Sequence, residues 1–281
     1  MYKIVKKKKL NDSVTMMEVE APFVARKAEP GQFIILRVDE EGERVPFTIA
    51  DYDREKKTVS IIFQIVGSET QRLNMLEEGD YIQDFVGPLG NATKTDGYKK
   101  VAIIGGGVGS AIAYPVAKKF HQVGAEVHSI VGFRTKDLVI LEDEFKACSD
   151  KFVLVSDDGT TGRKGLVTDA LKELIDSGED YDVVMAIGPL VMMKFVCKLT
   201  AEYGVKTIVS MNPIMVDGTG MCGGCRLTVD GKVKFACVDG PEFDGHKVDF
   251  DEAIQRSAMY RQFEGEQKRD ANCMLMRKEV Q

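Results

Sequence analysis

At Lys99 the chain changes texture, and that change limits its architecture more than any other feature of the sequence. Before it, short segments rich in Val, Ile, Phe and Thr recur: Val14–Glu20, Gln32–Val38, Phe47–Asp51, Thr58–Gln64 and Asp80–Val86. Turn residues separate them, as in Glu29-Pro30-Gly31 and Glu78-Gly79-Asp80, and one short helical run, Thr70–Leu76, interrupts them. This spacing predicts a small antiparallel β-barrel. The basic run Lys6 to Lys9 reads as an exposed strand edge or end. From Lys99 onward, strand-like segments at Val101–Ile104, Glu126–Gly132, Phe152–Ser156, Val183–Ile187 and Lys206–Ser210 alternate with helical ones. The helices are expected from Gly109 to about His121, then at Ile140–Ala147, Val167–Asp176 and Leu190–Tyr203. Such alternation predicts a parallel sheet with helices on both faces. The expected division is therefore 1–98, 99–212 and a remainder, 213–281, with helical spacing from Asp249 to Phe263.

That remainder carries the most specific chemistry. It reads Asp217-Gly218-Thr219-Gly220-Met221-Cys222-Gly223-Gly224-Cys225, with Cys237 beyond a predicted hairpin of Arg226–Val229 and Lys232–Ala236. Plant-type [2Fe–2S] sites space their ligands C-x4-C-x2-C with a fourth cysteine further on. Cys222, Cys225 and Cys237 fill the second, third and fourth places, and Asp217 stands at the first. A carboxylate is a harder but workable ligand for ferric iron. Asp-Gly is equally a strong turn dipeptide, so Asp217 has both readings. Zinc competes for any C-x2-C pair, but a zinc ribbon wants a second such pair downstream. Thioredoxin-like chemistry would place the pair at a helix start early in a βαβ unit. Cys148 and Cys197 read as core residues, and Cys273 has no readable role.

Two kinds of segment suit nucleotides. Gly105, Gly106, Gly107 and Gly109 join a strand to a helix, where small residues let a pyrophosphate approach the helix N-terminus. Gly188-Pro189 ends a later strand, at a C-terminal strand end, where open α/β sheets take ligands. Tight packing alone would also explain such glycines. No acidic residue ends the second strand. Arg134 and Lys136 stand there instead, which leaves NAD and NADP equally open. In the barrel, Val45-Pro46-Phe47-Thr48 offers backbone groups, a ring and a hydroxyl, while Gly67-Ser68-Glu69-Thr70 opens the short helix.

A net charge of −6 argues against nucleic acid as a partner. No stretch approaches the length needed to span a bilayer. The N-terminus lacks the apolar segment of a signal peptide, so a cytoplasmic location is expected. His121, His128 and His246 form no constellation, and no side-chain acid, base or nucleophile is required.

Barrel, phosphate-type helix start, nucleotide sheet and cysteine loop, in that order, resemble the ferredoxin–NADP reductase superfamily over nearly the whole chain. Val45-Pro46-Phe47-Thr48 is similar to its Arg-Pro-x-Ser/Thr flavin segment, with Val45 in the arginine position and Arg44 one place early. Gly67-x-x-Thr70 resembles the FAD diphosphate segment, and Gly87-Pro88-Leu89-Gly90 a later signature. The resemblance implies FAD on the barrel, with Ile62 and Gln64 among the flavin residues, and NAD(H) or NADP(H) on the sheet. Within the superfamily, the cysteine loop resembles the electron-transfer subunit of dihydroorotate dehydrogenase, which has four cysteines. It resembles more closely the small subunit of NADH-dependent ferredoxin:NADP oxidoreductase, in which aspartate takes the first position. The stretch Gly240 to His246 is also similar to that group. This resemblance implies a larger flavoprotein partner with further flavin and [4Fe–4S] clusters, ferredoxin reached through the complex, and flavin-based electron bifurcation. The rivals are a subunit serving dihydroorotate oxidation and a non-enzymatic reductase-fold module with structural zinc.

Overall fold

The computed structural model describes residues 1–259. Seven strands form the first sheet: β1 (Tyr2–Lys9), β2 (Val14–Glu20), β3 (Phe33–Arg37), β4 (Val45–Asp53), β5 (Thr58–Gln64), β6 (Tyr81–Ile82) and β7 (Asp84–Leu89). Their order is β6-β1-β2-β5-β4-β3-β7, and every pairing is antiparallel. The two outer strands of that order are consecutive in the chain, separated only by Gln83. One bent segment thus supplies both edges, and the sheet rolls into a nearly closed barrel. This is why the single strand expected over Asp80–Val86 appears as two. Gln83 N donates to Val38 O at 3.1 Å where the chain turns. Period-2 alternation fills the interior with Ile4, Met17, Val19, Ile34, Leu36, Ile49, Val59, Ile61 and Phe63. The lysine run lies within β1, paired to β2, where Ile4 is the buried residue. Two helices belong to this half: α1 (Pro22–Ala25) and α2 (Ser68–Met75).

The second sheet contains β8 (Lys100–Gly106), β9 (Glu126–Phe133), β10 (Lys151–Ser156), β11 (Arg163–Lys164), β12 (Val183–Ile187) and β13 (Thr207–Ser210), all parallel. Between these strands run α3 (Ser110–Gln122), α4 (Glu142–Ala147), α5 (Val167–Asp176) and α6 (Leu190–Glu202). Buried residues of α3 and α4 pack with one face of the sheet, and those of α5 and α6 with the other. The strand order β11-β10-β9-β8-β12-β13 reverses direction between β8 and β12. Loops leaving those two strands part to opposite sides, which opens a crevice at their C-terminal ends.

The remainder of the described chain is a hairpin, β14 (Arg226–Val229) and β15 (Lys232–Phe235), then α7 (Ala236–Asp239), a strand β16 (Glu242–Asp244) and α8 (Phe250–Ser257). The sequence does not announce β16, which adds antiparallel to β13 and completes a seven-stranded sheet. The expected tail helix is present as α8. Its expected continuation to Phe263, and Cys273, lie outside the described residues. Among the described residues, no helix is long and apolar enough to cross a membrane.

Candidate functional site

A cavity of about 1150 Å³ runs between the barrel wall and the C-terminal ends of the parallel strands. From the barrel it is lined by Val45, Pro46, Phe47, Thr48, Ile62, Gln64 and Thr70, and from the sheet by Gly106, Gly107, Gly109, Gly188 and Pro189. These are residues expected from the sequence, drawn from five separate segments onto one surface. Gly67, Ser68, Glu69 and Gly105 do not line it. Glu69 turns its carboxylate to Arg72 at 3.4 Å and toward Gly42, while Gly105 packs on Ser110. Arg44 is exposed. Arg134 reaches the cavity; Lys136 instead donates its N–H to Thr160 Oγ1 at 2.9 Å.

The segment before α2 is held by one side chain. Thr70 Oγ1 accepts from Val66 N (2.9 Å) and Gly67 N (3.0 Å) and donates to Gly67 O (2.9 Å). These bonds fix the turn that leads from the barrel into α2. Thr70→Val keeps the shape and removes all three bonds. It is expected to lower stability by about 1–2 kcal/mol, measured as a reduced urea midpoint, and to weaken FAD retention on gel filtration.

Close approach at the crevice depends on glycine. A Cβ on Gly109 would lie 2.6 Å from Gly188 Cα and 2.8 Å from Ile187 O, so the loops after β8 and β12 meet backbone to backbone. Sequence reasoning missed a third contributor, Ser210-Met211-Asn212-Pro213 at the end of β13, together with Phe33, Met215 and Pro241. The Asn-Pro turn after a buried strand was the available signal.

The cysteine loop sits against the barrel beside this cavity. Gly218 has φ +74, and a Cβ there would meet Ile35 Cδ1 and Leu89 Cδ1 at 2.7 Å, so the loop rests directly on β3 and β7. Cys225 and Cys237 are buried with their Sγ atoms 3.2 Å apart, whereas Cys222 is exposed. Asp217 Oδ1 accepts from Thr219 N (2.9 Å) and Oδ2 from Cys222 N (2.8 Å), which lowers its pKa and sets its carboxylate beside that cysteine. Gly224 N points to Cys222 Sγ at 3.4 Å. Three thiols, an ionised carboxylate and backbone N–H groups aimed at sulfur form a donor set that fits an iron–sulfur cluster. Cys148 and Cys197 are buried elsewhere.

Another grouping, Glu126, His128 and Glu179, lies at the opposite end of the sheet. Its acceptors are taken by Lys100, Lys151 and the Tyr181 hydroxyl, and burial lowers the His128 pKa. It is a structural charge network.

Barrel, doubly wound sheet, shared cavity and cysteine loop together define a reductase of the ferredoxin–NADP reductase type with an iron–sulfur segment appended. The comparisons narrow this. Residues 212–249 match the iron–sulfur cluster binding domain of dihydroorotate dehydrogenase B, and residues 103–198 the oxidoreductase NAD-binding domain. The chain is 52% identical over 273 residues to an uncharacterized protein in the adh 3' region of Clostridium beijerinckii, covering 94% of this chain and 92% of that one. It is 48% identical over 261 residues to the dihydroorotate dehydrogenase B (NAD(+)) electron transfer subunit homolog of Thermotoga maritima, covering 93% and 92%. A chain of the NADH-dependent reduced ferredoxin–NADP oxidoreductase structure superposes with a TM-score of 0.91 at 45% identity, covering 98% of each. The chain belongs to the family of dihydroorotate dehydrogenase B electron-transfer subunits and their homologues. It is an NAD(P)H-dependent oxidoreductase subunit that uses FAD, an iron–sulfur cluster and NAD(H), and it works with a larger catalytic partner. The zinc-module reading is not retained.

Proposed function

We propose that this chain is the electron-transfer subunit of a bifurcating NADH-dependent ferredoxin:NADP oxidoreductase. The observation that carries the reading is the placement of Asp217 at the first position of a loop that rests on β3 and β7 of the barrel and adds Met215 to the wall of the shared cavity. In this reading Val45 to Thr48, Ile62, Gln64 and Thr70 hold FAD. Gly106, Gly107, Gly109, Gly188 and Pro189 hold the nicotinamide nucleotide. Asp217, Cys222, Cys225 and Cys237 hold a [2Fe–2S] cluster. The residues divide as a flavin domain (1–98), a nucleotide domain (99–212) and a cluster loop with its tail (213–281).

The cofactors supply hydride exchange and one-electron transfer; the chain supplies position, dryness and charge. Phe33, Met211, Met215 and Pro241 give the cavity an apolar wall on the side of the cluster loop. The loop meets solvent at Cys222 and at Met221, which is 88% exposed. That face is the exit toward the larger partner, proposed to carry further flavin and [4Fe–4S] clusters and to reach ferredoxin. The assembly is proposed to work in the cytoplasm. The match of residues 212–249 favours a second reading, in which the partner is a dihydroorotate dehydrogenase; co-purification separates the two.

EPR spectra of the anaerobically purified, dithionite-reduced chain test the assignment. The expected result is a [2Fe–2S] signal whose shape changes in Asp217→Cys. A signal indifferent to the substitution would return Asp217 to a turn residue only. Absence of any signal, with zinc in the protein, would sink the electron-transfer reading.

A further inference from the structure

Where the barrel meets the chain leaving the cysteine loop, one half-buried carboxyl group has a single hydrogen-bond partner among the described residues. Glu242 opens β16 opposite Ser210 of β13. Its Oε1 accepts a hydrogen bond from Thr93 Oγ1 at 2.6 Å, and Gly31 stands against both groups. The surrounding contacts are tight. Asn91 N donates to Gly240 O at 2.7 Å, Asn91 Nδ2 to Val238 O at 3.2 Å, and Met211 N to Pro241 O at 2.9 Å. Glu242 therefore lies five residues beyond Cys237 and next to Pro241, a wall residue of the cavity.

No cation balances this carboxyl among the described residues. Glu29, in the turn packed against it, is bonded to Arg54 and paired with Lys119. Asp239 of α7 is bonded to Lys234, and Asp244 of β16 accepts from His246 N. Lys94 and Asp96, which follow Thr93, make no bond to it, and β13 brings no charged side chain. Burial pushes the Glu242 carboxyl up to about 7, against a lowering by the Thr93 hydroxyl. An uncompensated carboxylate is disfavoured by burial and disfavoured further by negative charge added nearby.

We propose that Glu242 takes up a proton when an electron reaches the cluster loop, so that reduction there is coupled to protonation of this side chain. The inference rests on the cluster assignment above. The electron comes from the NAD(P)H-dependent activity. The proton comes from solvent hydronium: its O–H bond breaks, water leaves, and the O–H bond of the neutral acid forms. One negative charge arrives as another is neutralised, so the interface keeps its net charge. The acid's carbonyl oxygen still accepts from Thr93, so the contact survives both states.

EPR-monitored potentiometric titrations of the full chain from about pH 6 to about pH 9 bracket a carboxyl shifted to this range. The wild-type midpoint potential is expected to fall as pH rises, with a slope approaching about 59 mV per unit, the one-electron equivalent of a tenfold change. Glu242→Gln should be flat. Thr93→Val removes the only bond to the carboxylate among the described residues and should move the bend of the wild-type curve to higher pH. A reduced-minus-oxidised infrared spectrum should show a carboxylic-acid band in the wild type and lose it in Glu242→Gln. A cluster signal with a flat wild-type curve, or with the same slope in wild type and Glu242→Gln, overturns the role of Glu242 alone. A bend unmoved by Thr93→Val overturns it even if the glutamine variant fails to fold. Loss of the cluster signal itself in the wild type overturns the assignment and the inference together.

Discussion

Cys225→Ser is expected to abolish the iron–sulfur centre, taking iron from about two atoms per chain to near zero and erasing the reduced EPR signal. Cys225 is 2% exposed, and its sulfur lies 3.2 Å from that of Cys237. Burial and the adjacent Cys225 push the Cys237 thiol up to about 12. Two thiolates therefore do not coexist there without a cation to offset them. Metal ligation demands thiolates, so binding energy must drive their deprotonation. A serine hydroxyl is far harder to ionise and softens none of that cost. Cys148→Ser is the control, since Cys148 is buried in the core under α3 and α4, separate from the one that holds Cys225 and Cys237. Full iron retention in Cys225→Ser would show that other side chains hold the cluster.

Gly109→Ala is expected to have the second-largest effect, on the nucleotide crevice. The residue has φ −60 and ψ −19, so alanine meets no backbone strain there. The obstacle is space. The new methyl would press on Gly188 Cα, Ile187 O and Gly188 N at 2.6, 2.8 and 3.0 Å. All three are backbone atoms at the end of a central strand, so no rotamer change relieves the clash. The loops after β8 and β12 must part, at a cost of about 1–3 kcal/mol. Urea denaturation should register that loss. NADH titrations followed by fluorescence should show affinity weakened about tenfold or more, equivalent to about 1.4 kcal/mol or more. Unchanged affinity with unchanged stability would mean that the two loops do not meet as described.

Much of this architecture was legible because it rests on local signals. The strands at Val14–Glu20, Thr58–Gln64, Val183–Ile187 and Arg226–Val229, and the helix at Val167–Asp176, fall where the pattern places them. In each, alternation, a continuous apolar run or helical spacing is backed by flanking turn residues. The cysteine spacing was equally readable, because a cluster loop needs its donors close in sequence. What stayed hidden depends on distant partners. Lysines mask the alternation of β1, whose strand character comes from pairing on both sides. The three residues of β16 form a strand only because β13 offers an open edge. The cavity wall at Ser210 to Pro213 and Pro241 exists only once barrel and sheet meet. Glu69 shows the converse: a residue placed in the diphosphate segment by its neighbours turns its side chain elsewhere.

The strand β16 has one further consequence. It lies between Cys237 and the tail, yet it is hydrogen-bonded into the nucleotide sheet as its outermost member. The region from 213 to 249 is therefore not a detachable cassette. Cutting it away, or leaving it unfolded while iron is missing, would strip the cover from β13 and present a bare row of peptide groups to other copies of the chain. Metal loading and closure of the nucleotide sheet are therefore expected to be linked in folding, with iron-starved protein the form expected to be most open to edge-to-edge aggregation.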